Sequence, residues 1–156
     1  MKTMKAVRIH AYGGPELLHY EEIPRPALNP DDILIRVRSA AVNPVDWKIR
    51  EGNLQGFLKH QLPLILGWDV SGEVVEIGPE ATGFKIGDAV YARPNIERDG
   101  SYAEYIAVKA SEAAHKPATL DHNHATAVPL AALTAWQALV DACLLYTSPS
   151  PRDRTR

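Results

Sequence analysis

A mainly β protein with short helices, α+β in class, is predicted for this 156-residue chain by three observations. Over about the first 118 residues, apolar side chains come in short runs of strand length rather than at sustained helical spacing. Ten glycines and twelve prolines punctuate the chain, as turns between many short strands require. Extended helical periodicity begins only after Asp121. Many short strands with frequent turns argue for a β-barrel or sandwich.

Taken in order, Lys5 to His10 and Leu17 to Ile23 read as strands flanking the Gly13-Gly14-Pro15 turn. Ile33, Ile35 and Val37 alternate with Leu34, Arg36 and Arg38, the period of two that gives a strand one buried face. Pro44 suits the first turn of a short helix running to about Glu51, with Asn43 as its cap and therefore at the helix mouth. Trp68 to Ile77, Ala89 to Ala92 and Ser101 to Val108 supply further strands. Asp121 can cap a longer helix in which Ala125, Val128, Ala132, Leu133, Trp136 and Leu139 recur at roughly helical spacing, and Pro129 inside it predicts a kink.

The length allows one domain with a sizeable core. No G-x-G-x-x-G turn occurs; the nearest cluster, Gly67 to Gly72, lies at the start of a strand and opens no helix, so a dinucleotide-binding unit is not expected here. The segment from Cys143 to Asp153 resembles a reading-frame translation of the transposase adapter used to build sequencing libraries, so residues 143–156 are read as an artefact rather than protein. Without them, 14 basic and 18 acidic groups remain, a net charge of −4 that invites no nucleic acid. The sole cysteine, Cys143, leaves with the tail, so neither a disulfide nor a thiolate metal site is expected. No signal-peptide pattern opens the chain and no stretch reaches membrane-spanning length, so the expected location is cytoplasmic, with no membrane partner.

Two segments carry the chemistry. The first is Gly67-Trp68-Asp69-Val70-Ser71-Gly72-Glu73-Val74, followed by Gly78 and by Gly87-Asp88-Ala89-Val90; the second is Ala40-Ala41-Val42-Asn43-Pro44-Val45-Asp46-Trp47. By residue type alone, the first is a strand with glycines where another backbone approaches, the tryptophans are core aromatics, and Asn43 is a turn residue before proline. Their order and spacing over about a hundred residues say more. Together they resemble the medium-chain dehydrogenase/reductase superfamily, and within it the zinc-independent quinone oxidoreductase branch. In zinc-dependent members the first segment begins Gly-His-Glu, with the histidine on the metal, and the second holds a cysteine ligand followed two residues later by a proton-relaying hydroxyl. Trp68, Asn43 and Val45 stand in those three slots. An indole offers only an N–H donor and a neutral amide is a poor zinc ligand, so the resemblance implies chemistry without zinc. Only eight residues separate Tyr91 from Gly100, where many zinc enzymes of this superfamily insert a four-cysteine lobe.

The resemblance implies a partly open barrel of GroES-like type over residues 1–122, a helix at 123–142 leading into a missing Rossmann cofactor domain, and the artefact at 143–156. It implies an oxidoreductase of the NADPH-dependent, quinone- or enone-reducing kind, inactive as this fragment alone. The implied catalytic set is Asn43, Asp46, Trp68 and Asp69, with the two aspartates orienting neighbours rather than transferring protons. Trp47 and Trp68 would line a pocket for a quinone, enone or aldehyde, and Asn43 and Thr134 would face the cofactor. A homodimeric parent fits the same reading. The alternative is a relative that has lost its metal and serves as a non-catalytic binding module, since a fold does not by itself imply function. The histidines add little: His122 and His124 are two apart and cannot share a metal on one helix face, and His60, in the Lys59-His60-Gln61 turn, is expected to be solvated.

Overall fold

The computed structural model describes residues 2–142. The expected adapter segment, residues 143–156, lies outside the described residues.

Among the described residues, eight strands form two antiparallel sheets. β1 (Thr3–Ile9) is central in the smaller sheet, between β2 (Leu18–Pro24) and the two-residue β4 (Leu64–Ile65). The larger sheet has the order β7-β3-β5-β6-β8, built from β3 (Asp32–Ala40), β5 (Val70–Ile77), β6 (Ala89–Ala92), β7 (Tyr105–Lys109) and β8 (Ala113–His115). The predicted alternation in β3 holds on one face: Ile33 and Ile35 are fully buried and pack with Val70, Val74, Val90, Ile106 and Val108. The opposite face is covered too, because Asp32 and Leu34 are also buried. Arg36 and Arg38, at the outer end of the strand, both pair with Glu73 on β5.

β4 and β8 are too short to leave a periodic signal in the sequence. Ser101 to Val108, predicted as one strand, begins its regular pairing only at Tyr105. The preceding residues change partners instead: Gly100 N–H donates to Ile65, Tyr102 N–H to Leu66, and the Tyr102 carbonyl accepts from Val7. That exchange stitches the small sheet to the large one and gives a partly open barrel rather than two separate layers. Gly72 on β5 lies opposite Val37 of β3. A Cβ there would overlap the Arg36 carbonyl oxygen, so the strand pair tolerates only hydrogen at that point.

Helix α1 (Pro44–Arg50) follows β3 as predicted, with Pro44 in its first turn and Asn43 at the N-cap. The predicted second helix is two helices. Asp121 caps α2 (His122–Thr126), its carboxylate accepting from His124 N–H at 2.8 Å. The chain then restarts at Pro129 as α3 (Pro129–Trp136), followed by a π-helical turn at Gln137–Ala142. Pro129 ends one helix and opens the next, rather than kinking a continuous one, because it has no N–H to give the preceding turn and is well suited to a first helical position. Leu133, Trp136 and Leu139 remain exposed on this last stretch.

Candidate functional site

Asn43 sits where β3 gives way to α1, and the proline after it forces an extended backbone, which suits an N-cap. Asp46, at the third helical position, reaches back to accept the Asn43 backbone N–H at 2.6 Å, completing a capping box. The Asn43 side chain is held from the other side: its Nδ2 donates to Asp69 Oδ2 at 2.9 Å. Asp69 lies just before β5, and its second oxygen accepts the backbone N–H of Leu130 in the first turn of α3, also at 2.9 Å. One buried carboxylate thereby ties the mouth of α1 to the start of α3. Thr134 is one helical turn beyond Leu130 and exposed, so the Asn43 and Thr134 segments converge at Asp69.

Two further residues complete the support. Tyr102 Oη donates to the same Asp46 oxygen at 2.9 Å, and Ser101 Oγ donates to the Asp69 backbone carbonyl at 2.9 Å. Neither was singled out by sequence reasoning. They lie 56 and 32 residues from their partners, and only the return of the chain through Gly100 brings them in.

The carboxylates are out of reach of solvent. Asp46 is 3% exposed and Asp69 1% exposed. Burial pushes the Asp46 carboxyl up from its ordinary range, against the pull of the Asn43 N–H and the Tyr102 hydroxyl. Burial also raises Asp69, opposed by the Asn43 amide and the Leu130 N–H, reinforced by the charge of Asp46 and relieved by that of Arg93. Tyr102 is raised as well, first by burial and then by Asp46 beside it. Asp46 Oδ1 is buried without a hydrogen-bond partner, which adds to the cost of its ionised form. With so little surface, neither aspartate is open to a ligand; each holds its neighbours, Asn43 among them.

Trp47 stands one turn beyond Asn43 on α1 and is 43% exposed. Trp68 is a correction to the expected pocket wall. It is fully buried among Ile9, Ile49, Leu64 and Leu66, and its Nε1 donates to the Arg98 carbonyl at 3.1 Å. The residue turns inward because the small sheet and α1 need a large side chain between them, and its one polar group is satisfied there. His60 is half-buried rather than free in solvent: it stacks on Trp68 with ring centres 5.8 Å apart and donates from Nε2 to the Ile96 carbonyl at 2.7 Å.

The groups at the superfamily's zinc position do not fit the metal. Asn43 offers a neutral amide already bonded to Asp69, Trp68 an N–H turned away into the core, and Asp69 a buried carboxylate each of whose oxygens already accepts a hydrogen bond. Among the described residues no group of three or more His, Cys, Asp or Glu side chains is placed to hold a metal, and no helix is long and apolar enough to cross a membrane.

The sequence and fold match known proteins. Residues 29–118 match the family described as the alcohol dehydrogenase GroES-like domain, and the chain belongs to that family. Over 139 residues it is 38% identical to the chloroplastic quinone-oxidoreductase homolog of Spinacia oleracea, covering 88% of this chain and 42% of that protein. Over 140 residues it is 39% identical to the mitochondrial NAD(P)H oxidoreductase RTN4IP1 of Dictyostelium discoideum, covering 87% of this chain and 40% of that one. Among solved structures, the quinone oxidoreductase from Coxiella burnetii superposes with a TM-score of 0.82 at 34% identity, covering 90% of this chain and 45% of that chain. The GroES-like fold of the medium-chain dehydrogenase/reductase N-terminal domain is therefore the fold of this chain. The chain spans about two fifths of the length of these curated relatives.

Proposed function

We propose that this chain is the substrate-facing half of an NADPH-dependent, zinc-independent oxidoreductase that reduces quinones or enones. The observation that carries the reading is Asn43, a polar amide fixed by Asp69 at the helix mouth where the superfamily's metal site would lie. The printed names of relatives, quinone oxidoreductases and NAD(P)H oxidoreductases, support the class of reaction.

When bound, the nicotinamide cofactor supplies the hydride. Asn43 and Thr134 are the residues of this chain that would meet it, and a phosphate-binding turn is not among the motifs of the sequence. Of the two Nδ2 hydrogens of Asn43, one is committed to Asp69, which leaves the other to steady a developing oxyanion on the substrate. Asp69 fixes which end of the amide faces its own side. Trp47 offers a flat apolar wall that keeps water from one side of the reacting atoms.

The test is made in a protein that carries this sequence together with a cofactor domain. Asn43→Ala should lower kcat for NADPH-driven quinone or enone reduction about 100-fold, as loss of an oxyanion donor does elsewhere, with a loss of about 1–2 kcal/mol in stability from the missing cap and the Asp69 bond that leaves the protein folded at assay temperature. Undiminished turnover would remove Asn43 from the chemistry and the reading with it.

A further inference from the structure

The capping box fixes Asn43 only with respect to its own helix, because Asp46, which accepts the Asn43 N–H, lies in the first turn of the same α1. Asp69, which accepts from the Asn43 side chain, belongs to the barrel, just ahead of β5. The 2.9 Å contact between them therefore holds only if the mouth of α1 is itself fixed against the barrel.

The Tyr102 hydroxyl makes that connection. It donates to Asp46 Oδ2 at 2.9 Å, the oxygen that already accepts the Asn43 N–H, while Asp46 Oδ1 has no partner. Among the described residues, the hydrogen bonds to this carboxylate thus converge on one atom, one from the helix cap and one from the barrel.

Tyr102 is in turn fastened to the segment that leads into Asp69. The N–H groups of Gly100, Ser101 and Tyr102 donate to the carbonyls of Ile65, Gly67 and Leu66 at 2.8, 2.7 and 3.0 Å, and Ser101 Oγ donates to the Asp69 carbonyl at 2.9 Å. Gly67 makes room for the ring: its φ is +91°, and a Cβ there would overlap the Tyr102 side chain. The ring packs against both the Trp68 cluster and the cluster of Met4, Ala6, Ile23 and Ile65. Packing holds the ring, and the hydroxyl is the part that acts on Asp46.

We propose that Tyr102 is a positioning residue whose hydroxyl, acting through Asp46, holds the Asn43 amide against Asp69. Its effect on turnover rests on the reductase reading; its hold on Asn43 does not. Tyr102→Phe isolates the hydroxyl, because phenylalanine keeps the ring and its packing.

The test begins with nuclear magnetic resonance on the isotope-labelled 156-residue chain and its Tyr102→Phe variant. The Asn43 backbone and Nδ2 proton signals should move toward those of a solvent-exposed asparagine, while the Ile33 and Ile35 signals of the core stay in place. In a protein that carries this sequence together with a cofactor domain, Tyr102→Phe should lower kcat about tenfold with KM little changed, because the donor is displaced rather than removed. That loss should vanish in an Asn43→Ala background, where no amide is left to position, whereas a merely structural loss would add to it. Unmoved Asn43 signals, undiminished kcat in Tyr102→Phe where Asn43→Ala does lower it, or full additivity with Asn43→Ala would overturn the proposal. If the Asn43 signals move and Asn43→Ala leaves turnover undiminished, the reductase reading fails while the hold of Tyr102 on Asn43 stands.

Discussion

Removing the Asp69 carboxylate tests the support of the site most sharply. Asp69→Ala strips two hydrogen bonds of 2.9 Å at once and leaves the Asn43 amide and the Leu130 N–H to find new partners. Each buried donor left unsatisfied costs about 1–3 kcal/mol, and relief of a buried charge gives part of that back, so a net loss of about 2–4 kcal/mol is expected. For a chain of this size each kcal/mol moves the midpoint by roughly 2–4 °C, so melting should fall on the order of 10 °C. Urea unfolding followed by circular dichroism measures the loss directly.

The pH dependence gives a second reading of the same group. Because burial raises the Asp69 and Asp46 carboxyls in the folded state, folding gains proton affinity there. Their contribution is therefore present in full below the unfolded value, about 3.9, and is lost as pH rises through the folded values. Asp69→Asn should flatten that part of the profile. A change below about 0.5 kcal/mol for Asp69→Ala, within the ordinary scatter of surface substitutions, would refute the argument that this carboxylate holds the site together.

Other outcomes follow from the core. Arg98→Met leaves Asp32, which is fully buried and held by the Arg98 fork at 2.8 and 2.7 Å, without its counter-charge, and should cost about 3–5 kcal/mol in urea unfolding. Burial would raise Asp32, but the Arg98 fork and the Asn29 donors hold it below its ordinary value, so its contribution is present above about pH 4 and is lost as pH falls further, the reverse of Asp69. Trp68→Ala should cost about 3–5 kcal/mol, whereas Trp47→Ala on the exposed side of α1 should stay within about 1 kcal/mol while weakening substrate binding, as read from KM in the extended protein.

How much was legible in the sequence follows from the range of each interaction. Asn43 before Pro44 announces a capped helix within four residues, and the structure has it. The Gly-Trp-Asp and Asn-Pro-Val-Asp segments pointed to one site, and Asn43 does meet Asp69 across 26 residues. The family resemblance put the two segments in one site, which local periodicity cannot do, but the Asn43–Asp69 bond itself is seen only in the structure. Trp68 was placed in the pocket on the strength of its slot. Its burial depends on Ile9, Ile49 and Leu64 arriving from three other elements, and no local pattern announces that. Tyr102 and Ser101 were missed for the same reason. The division of the last helix at Pro129 was half legible, since proline marks a break but not whether the chain bends or restarts.

The central claim is that a protein built on this chain moves hydride with Asn43, held by Asp69, in place of a metal. The direct measurement is NADPH-driven reduction of a quinone by the protein carrying this sequence and a cofactor domain, before and after exhaustive EDTA treatment, with bound zinc quantified by atomic emission. The account predicts an unchanged rate, sub-stoichiometric zinc, and negligible oxidation of simple alcohols, which need a metal to acidify the hydroxyl. One zinc per chain, with activity lost on its removal and restored on its return, would contradict it.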